Sequence, residues 1–232
     1  MIYGLILSAG NESRFNADYP KALSTIQGKV MLDINIQHME EVCDKVYVVC
    51  STTNYHLFEK YSSIIIKSGK GCGDAVLKAL CELPLRDDDT VLIQWGDSLT
   101  QTSNILKLMC AEYEGRLVIP IAEEDTPYVQ IIPAEDKYHA KVLFSKYGEN
   151  IDIKGYHDMS VFYGDAKTLL FYLEKFASKY ETDVGYDHPH GNELQFLDLL
   201  NETEIEVKLV DLNCITIAFN TIEEYNKIKH GV

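Results

Sequence analysis

The chain has 232 residues, 46% of them apolar, enough for one large α/β unit with a sizeable core. A formal net charge of -15 argues against a general nucleic-acid surface, because phosphate backbones are held by Lys and Arg, but a few well-placed cations suffice for a small phosphorylated ligand. The six cysteines show no CxxC or zinc-like spacing and read as free thiols of a reducing cytosol, no run approaches the ~20 apolar residues of a membrane span, and the short N-terminal run lacks the basic leader of a signal peptide. A cytoplasmic protein with no membrane partner is expected.

In chain order, "IYGLILSAG" predicts a buried strand and "MLDINIQHMEEV" a helix. "KVYVVCS" predicts a strand, "YHLFEKYS" a helix, "SSIIIKSG" a third strand and "DAVLKALCEL" a helix. "TVLIQWGDS" predicts a fourth strand and "NILKLMCAEY" a further helix. Continuous apolar strands alternating with helices imply a parallel sheet covered on both faces. The second half is less regular. "RLVIPIA", "YVQIIPA", "KVLFSK" and "MSVFYG" read as strands, "AKTLLFYLEKFASKY" and "ELQFLDLLNE" as helices, "IEVKLVDL" and "CITIAF" as strands and "TIEEYNKIKHG" as a closing helix. The expected fold is a Rossmann-like α/β domain, its mixed and mainly parallel sheet sandwiched by helices. The acidic run Asp87–Asp89 reads as a solvated turn.

The opening loop carries the first chemistry. Ligands of open parallel sheets gather at the carboxyl ends of strands, and "LILSAGNESRF" leaves the first strand there. Ser8, Ala9 and Gly10 let a base or phosphate approach the backbone, and the amides of Asn11, Glu12, Ser13 and Arg14 can form an anion nest. Arg14 adds a planar fork of donors, and Lys21, after Pro20, a second cation on a stiffened turn. A plain strand-to-helix loop with surface cations is the bland alternative. Neither the P-loop pattern nor GxGxxG is present.

"LILSAGNESRFNADYPKAL" resembles the signature of nucleotidyltransferases that join a nucleoside triphosphate to a phosphorylated metabolite, approximately L-A-[AG]-G-x-G-x-R followed by P-K-x-L. Sugar-1-phosphate uridylyltransferases and phosphocholine-type cytidylyltransferases carry versions of it on a GT-A-like fold. Glu12 departs from the pattern, standing where a second glycine is usual. The resemblance runs to the final helix. It implies one nucleotidyltransferase domain, with a nucleotide-binding half over 1–120 and an acceptor-binding half over 121–232.

It also implies roles for later landmarks. Asp97, in "WGDS" at the end of the fourth strand, resembles the family's metal-binding Asp, and Asn220 before "TIEEY" its second ligand for Mg²⁺. A turn Asp and a helix-capping Asn are the ordinary alternatives. "GKGCGDAVLKAL" matches a loop that reads the base, giving Gly71, Cys72, Gly73 and Asp74 beside Leu7, Ser8, Ala9 and Gly10 as nucleotide contacts. Lys146 resembles the lysine that holds the acceptor phosphate, and Glu193 the acceptor-contacting Glu of "[GN]-E-x-x-x-x-D". Asp158 lies in "HDM", which replaces the usual sugar-contacting residues. Asp187, His188, His190 and Glu193 could suggest Zn²⁺, but a loop ahead of a helix is preferred, without structural zinc.

Arg14 and Lys21 are thus the expected catalytic cations, acting with Mg²⁺ on attack of an acceptor oxygen at the α-phosphorus with loss of pyrophosphate. Free-standing domains of this length are more like phosphocholine-type or capsule-pathway cytidylyltransferases. CTP with a small phosphorylated alcohol, amine or amide, for surface-polysaccharide decoration, is therefore preferred. UTP with a sugar 1-phosphate is the runner-up, and a non-catalytic nucleotide-binding regulatory domain the alternative of another class. The sequence leaves room for a homodimer.

Overall fold

A computed structural model describes residues 1–10, 15, 17–67, 69–100, 102–212, 216–219 and 221–229, the side chains of residues 100 and 216 aside. The first strand, β1 (Ile2–Leu7), is apolar on both faces and lies inside a ten-stranded sheet. Its companions in chain order are β2 (Lys45–Ser51), β3 (Ser63–Ile66), β4 (Thr90–Trp95), β5 (Leu117–Asp125), β6 (Val129–Pro133), β7 (Ala140–Phe144), β8 (Lys154–Asp158), β9 (Val161–Asp165) and β10 (Val207–Asp211). The spatial order is β7-β6-β8-β5-β9-β4-β1-β2-β3, with β10 parallel to β5. The pairings β4–β1–β2–β3 are all parallel. Strand β9 then inserts antiparallel between β4 and β5, and β8 antiparallel between β5 and β6. Only β7, β8 and β9 oppose the other seven strands, so the sheet is mixed and mainly parallel, as the sequence predicts.

Helices cover both faces. On one, α2 (Cys72–Cys81) and α4 (Ala166–Tyr180) bury Val76, Leu80, Leu169, Leu173 and Phe176 against Leu5, Val91 and Ile93. On the other, α1 (Met31–Glu40) and α3 (Ser103–Ala111) bury Leu32, Met39, Leu106 and Met109 against Ile6 and Leu92. The alternation of strand side chains between the two clusters is the period-2 geometry of a strand with both faces buried. A third, small cluster of Phe15, Ile26, Met31, Phe219 and Tyr225 anchors the closing helix α6 (Ile222–Ile228).

Three expectations change. The helix expected in "YHLFEKYS" is only a 3-10 turn, Tyr55–Leu57, because Asn54 is engaged by the loop before it. In "ELQFLDLLNE" the chain is helical only from Phe196, as a 3-10 turn running into α5 (Leu199–Glu202). The acidic run is not uniformly solvated: Asp89 is buried and its carboxylate accepts from the Arg86 amide at 2.8 Å, closing the turn.

Candidate active site

The parallel half aims β1, β2 and β4 at one edge, where their exits meet. Gly96, after β4, donates its amide to the Leu7 carbonyl at 2.8 Å. A Cβ on Gly96 would lie 2.3 Å from Ser8 Oγ and 2.6 Å from the Leu7 oxygen, so only glycine lets the two loops touch. Asp97 is thereby held against the opening loop. The other side of that loop is pinned by Asn54, whose Nδ2 donates to the Ser8 carbonyl at 2.8 Å while its Oδ1 accepts from the Ser51 amide at 2.8 Å. The Ser8 hydroxyl is buried and has no hydrogen-bond partner among the described residues.

Pro20 starts a 3-10 turn, Lys21–Leu23, that directs Lys21 inward. Lys21 Nζ lies 2.7 Å from Asp97 Oδ2, and the side chains are 7% and 37% exposed respectively. This buried cation and half-exposed carboxylate join the "PK" and "GD" motifs, 76 positions apart. Gly10, Ala17, Tyr19, Pro20, Thr53 and Asn54 line an adjoining cleft of about 200 Å³. Thr53 and Asn54 were missed by sequence reasoning. The signal was there, since "STTN" follows the strand "KVYVVCS" at the same ligand-bearing edge.

Behind Asp97, the Ser98 carbonyl accepts from Asn35 Nδ2 at 2.9 Å and Gln94 Nε2 at 3.1 Å, fixing the turn. Ser98–Thr100 then pairs antiparallel with Thr216–Ala218, Ala218 opposite Ser98. That register delivers the late strand to the neighbourhood of Asp97. Asn220 itself, with Asn11, Glu12, Ser13 and Arg14, lies outside the described residues. Thr221 caps α6 in a capping box with Glu224.

The second loop, expected to read the base, packs against a later segment of the chain. Gly71 has φ +96°, and a Cβ there would lie 2.5 Å from the Leu194 carbonyl oxygen; one on Gly73 would lie 2.9 Å from the same atom. The Gly73 amide donates to Leu194 O at 2.8 Å, and the Leu194 amide to Lys70 O at 2.7 Å. These glycines therefore admit the 194–196 segment. Asp74 is buried and accepts from the Lys70 amide at 2.7 Å, the Tyr186 hydroxyl at 2.7 Å and Lys78 Nζ at 2.6 Å. Its carboxylate is occupied in holding the loop.

Cys72 connects this loop to the expected acceptor residues. Its Sγ accepts from the Phe196 amide at 3.2 Å and faces Gln195 Oε1 at 3.6 Å. Burial pushes its thiol up to about 11, against the pull of the Phe196 amide and the Lys146 charge. Lys146 Nζ stands 4.5 Å over the Tyr147 ring, and exposed Glu193 accepts from Gln195 Nε2 at 2.7 Å. Lys146, Cys72, Gln195 and Glu193 thus share one neighbourhood. Asp158 ends β8 and accepts from the Ser160 amide at 2.8 Å, while the Ser160 carbonyl accepts from Trp95 N at 3.0 Å, two residues before Asp97. Burial raises the Asp158 carboxyl above its ordinary range.

Comparison with known proteins follows this geometry. The bifunctional protein GlmU of Ruthia magnifica subsp. Calyptogena magnifica is 30% identical over 149 residues, 61% of this chain and 32% of that protein. GlmU of Buchnera aphidicola subsp. Schizaphis graminum is 26% identical over 236 residues, 90% of this chain and 46% of that protein. The chain thus spans a third to a half of the length of these relatives. HddC from Yersinia pseudotuberculosis superposes with a TM-score of 0.71 at 17% identity, covering 98% of each chain. The inositol-1-phosphate CTP transferase from T. maritima superposes with a TM-score of 0.70 at 17% identity, covering 99% of this chain and 97% of that one. Among the described residues, no helix is long and apolar enough to cross a membrane. The model of the MobA-like NTP transferase domain matches residues 4–151, which take in the opening loop, the Lys21–Asp97 pair and Lys146, and the chain belongs to that family.

Proposed function

We propose that this protein transfers a cytidylyl group from CTP to a small phosphorylated alcohol, amine or amide and releases pyrophosphate. The observation that carries the reading is the Lys21–Asp97 pair at 2.7 Å, a buried cation and a partly exposed hard oxygen donor at the exits of β1 and β4. A phosphate oxygen of the acceptor, already anionic at neutral pH, forms the new bond to the α-phosphorus as the bond from that phosphorus to the pyrophosphate oxygen breaks. No general base is needed. The protein aligns two polyanions and neutralises charge.

Lys21 holds the α-phosphate region and Arg14 the departing pyrophosphate. Lys146 takes the acceptor phosphate, while Glu193 and Asp158 accept hydrogen bonds from the acceptor's polar groups. The donor set suits Mg²⁺, a hard cation that takes a few carboxylate or amide oxygens and shares phosphate oxygens, so Asp97 and Asn220 would hold it. Bound there, it would supply Lewis-acid neutralisation of the phosphates. Similarity to a structure described as an inositol-1-phosphate CTP transferase supports CTP and a phosphorylated polyol-like acceptor.

Calorimetric titration with CTP, UTP and GTP, in Mg²⁺ and again in EDTA, tests the reading, followed by pyrophosphate release across phosphorylated alcohols, amines and hexose 1-phosphates. Metal-dependent binding of CTP and release with a non-hexose acceptor are expected. Turnover with UTP and a sugar 1-phosphate would replace the substrate assignment. Nucleotide binding indifferent to metal, without turnover, would make the protein a nucleotide sensor.

A further inference from the structure

The "HPHG" turn, residues 188–191, precedes the Glu193–Phe196 segment in the chain. We propose that His188, His190 and Asp198 form a second cation site, for Zn²⁺ or a similar borderline divalent metal, which ties the acceptor-side loop to the start of α5. One ligand atom from each of the three residues lies within 4.8 Å of the others. His190 Nδ1 is 2.9 and 3.1 Å from the two Asp198 oxygens, and His188 Nδ1 is 3.7 Å from Asp198 Oδ2. Ligands about 2.0–2.1 Å from a tetrahedral Zn²⁺ stand roughly 3.3 Å apart, inside that spread.

Burial and the donor geometry make the case for a cation. His188 has a side chain 2% exposed, and Asp198 is wholly buried. The His190 amide donates to His188 Nδ1 at 3.1 Å, so that nitrogen presents a lone pair and the ring proton sits on Nε2. His188 Nδ1, 3.7 Å from Asp198 Oδ2, thus places an imidazole lone pair beside a buried carboxylate that His190 Nδ1 also reaches, the two kinds of donor that a borderline divalent cation binds. On ligation the metal takes the Nδ1 lone pair, and the His190 amide contact is loosened.

The outer shell has the form expected around metal-bound histidines. His188 Nε2, buried and without a hydrogen bond among the described residues, lies 3.7 Å from Glu202 Oε1, and His190 Nε2 3.8 Å from Glu149 Oε1. Carboxylates behind both rings would orient them and raise their basicity. Glu202 is fixed by Lys179 Nζ at 2.6 Å and the Tyr180 hydroxyl at 2.8 Å. Tyr147 stacks on His190 with centroids 4.4 Å apart. Two imidazoles select Zn²⁺, Co²⁺ or Ni²⁺ over Mg²⁺, so this site and the Asp97 site would sort different metals. Sequence reasoning weighed Asp187 and Glu193 as partners and preferred no zinc; the fold supplies Asp198 instead.

The test is metal content of the 232-residue protein after EDTA treatment, reloading with Zn²⁺ and gel filtration, together with the visible spectrum of the Co²⁺-loaded protein. About one equivalent of metal per chain, tetrahedral Co²⁺ bands without thiolate charge transfer, and a Tm raised by Zn²⁺ are expected. H190Q and D198N should lose the metal and the Tm response while keeping wild-type far-UV circular dichroism. If either variant fails to fold, the wild-type Co²⁺ spectrum decides. Below about a tenth of an equivalent, thiolate bands from the cysteines, or unchanged loading in folded H190Q would overturn the proposal.

Discussion

Replacing Gly71 by alanine isolates the contact between the 69–74 loop and the 194–196 segment. At φ +96° and ψ 168°, Gly71 occupies a region essentially closed to residues with a Cβ, a strain of about 1–3 kcal/mol. The new methyl would also stand 2.5 Å from the Leu194 oxygen and 2.9 Å from its carbon and nitrogen, backbone atoms that cannot rotate aside. Overpacking of that kind adds about 1–3 kcal/mol, so a loss near 4 kcal/mol is expected. For a chain of this size that is roughly 8–16 °C in Tm. Gly73 is helical, and its Cβ would meet Leu194 O at 2.9 Å, so G73A has the clash without the strain and regains about 1 kcal/mol of helix propensity. For G69A the nearest atoms are at 3.6 Å, ordinary contact, and the change should stay within about 0.5 kcal/mol. Thermal unfolding of the three variants should rank G71A below G73A below G69A. A G71A protein within about 2 °C of wild type, or a G69A protein equally damaged, would refute the packing argument.

Other substitutions separate site from scaffold. K21M keeps the buried methylenes and removes the charge; because water can reach Asp97, the stability cost should stay near 1–2 kcal/mol, while kcat/KM falls about 10²–10³-fold. Loss of less than tenfold in steady-state pyrophosphate release would remove Lys21 from the catalytic set. D158N should be more stable than wild type at neutral pH, since burial disfavours the ionised carboxyl. That gain should vanish as pH falls below about 4, where Asp is protonated in both folded and unfolded states. The same variant should raise the acceptor KM, and a stability difference that persists at pH 3 would contradict the sign. T221A breaks the capping box of α6 and should cost about 1 kcal/mol, a few °C in a melt, without altering the β1 edge.

What could be read in advance, and what could not, follows from the range of the interactions. The alternating first half was legible because its strands are continuous apolar runs, β1 and β4 buried on both faces and even the edge strand β3 keeping three isoleucines in a row, so composition marks them without tertiary knowledge. "KGYHD" was not read as the strand β8, because it is exposed or half-buried throughout and shows no hydrophobic period. "GD" was legible as a site, although the reason for its glycine, contact with Ser8 and Leu7, is not local. The glycines of "GKGCG" suggested a ligand, and what the sequence did not show is that Gly71 and Gly73 also meet a backbone segment about 120 positions later. Asp198 was overlooked as a partner of the histidines for a similar reason: the turn from Gln195 into α5 carries it back to the "HPH" segment, and spacing alone does not reveal that return.

The Lys21–Asp97 pair also bears on how substrate is admitted. Each side chain compensates the other before any nucleotide arrives, so neither charge confronts the low-dielectric loop alone. A triphosphate reaching Lys21 without a cation would draw the ammonium away and leave a carboxylate facing a polyanion. The resulting repulsion, only partly relieved by water at a carboxylate 37% exposed, opposes binding. A divalent cation held by Asp97, as proposed, would reverse that sign by giving the carboxylate a partner as Lys21 turns to phosphate. On this electrostatic argument, D97N should bind nucleotide in EDTA better than wild type does, since the repelling charge is gone, and should gain much less from Mg²⁺. Titration of both proteins with and without metal reads the difference directly. Equal affinities in EDTA would mean that Asp97 does not face the triphosphate, and that its pairing with Lys21 is structural.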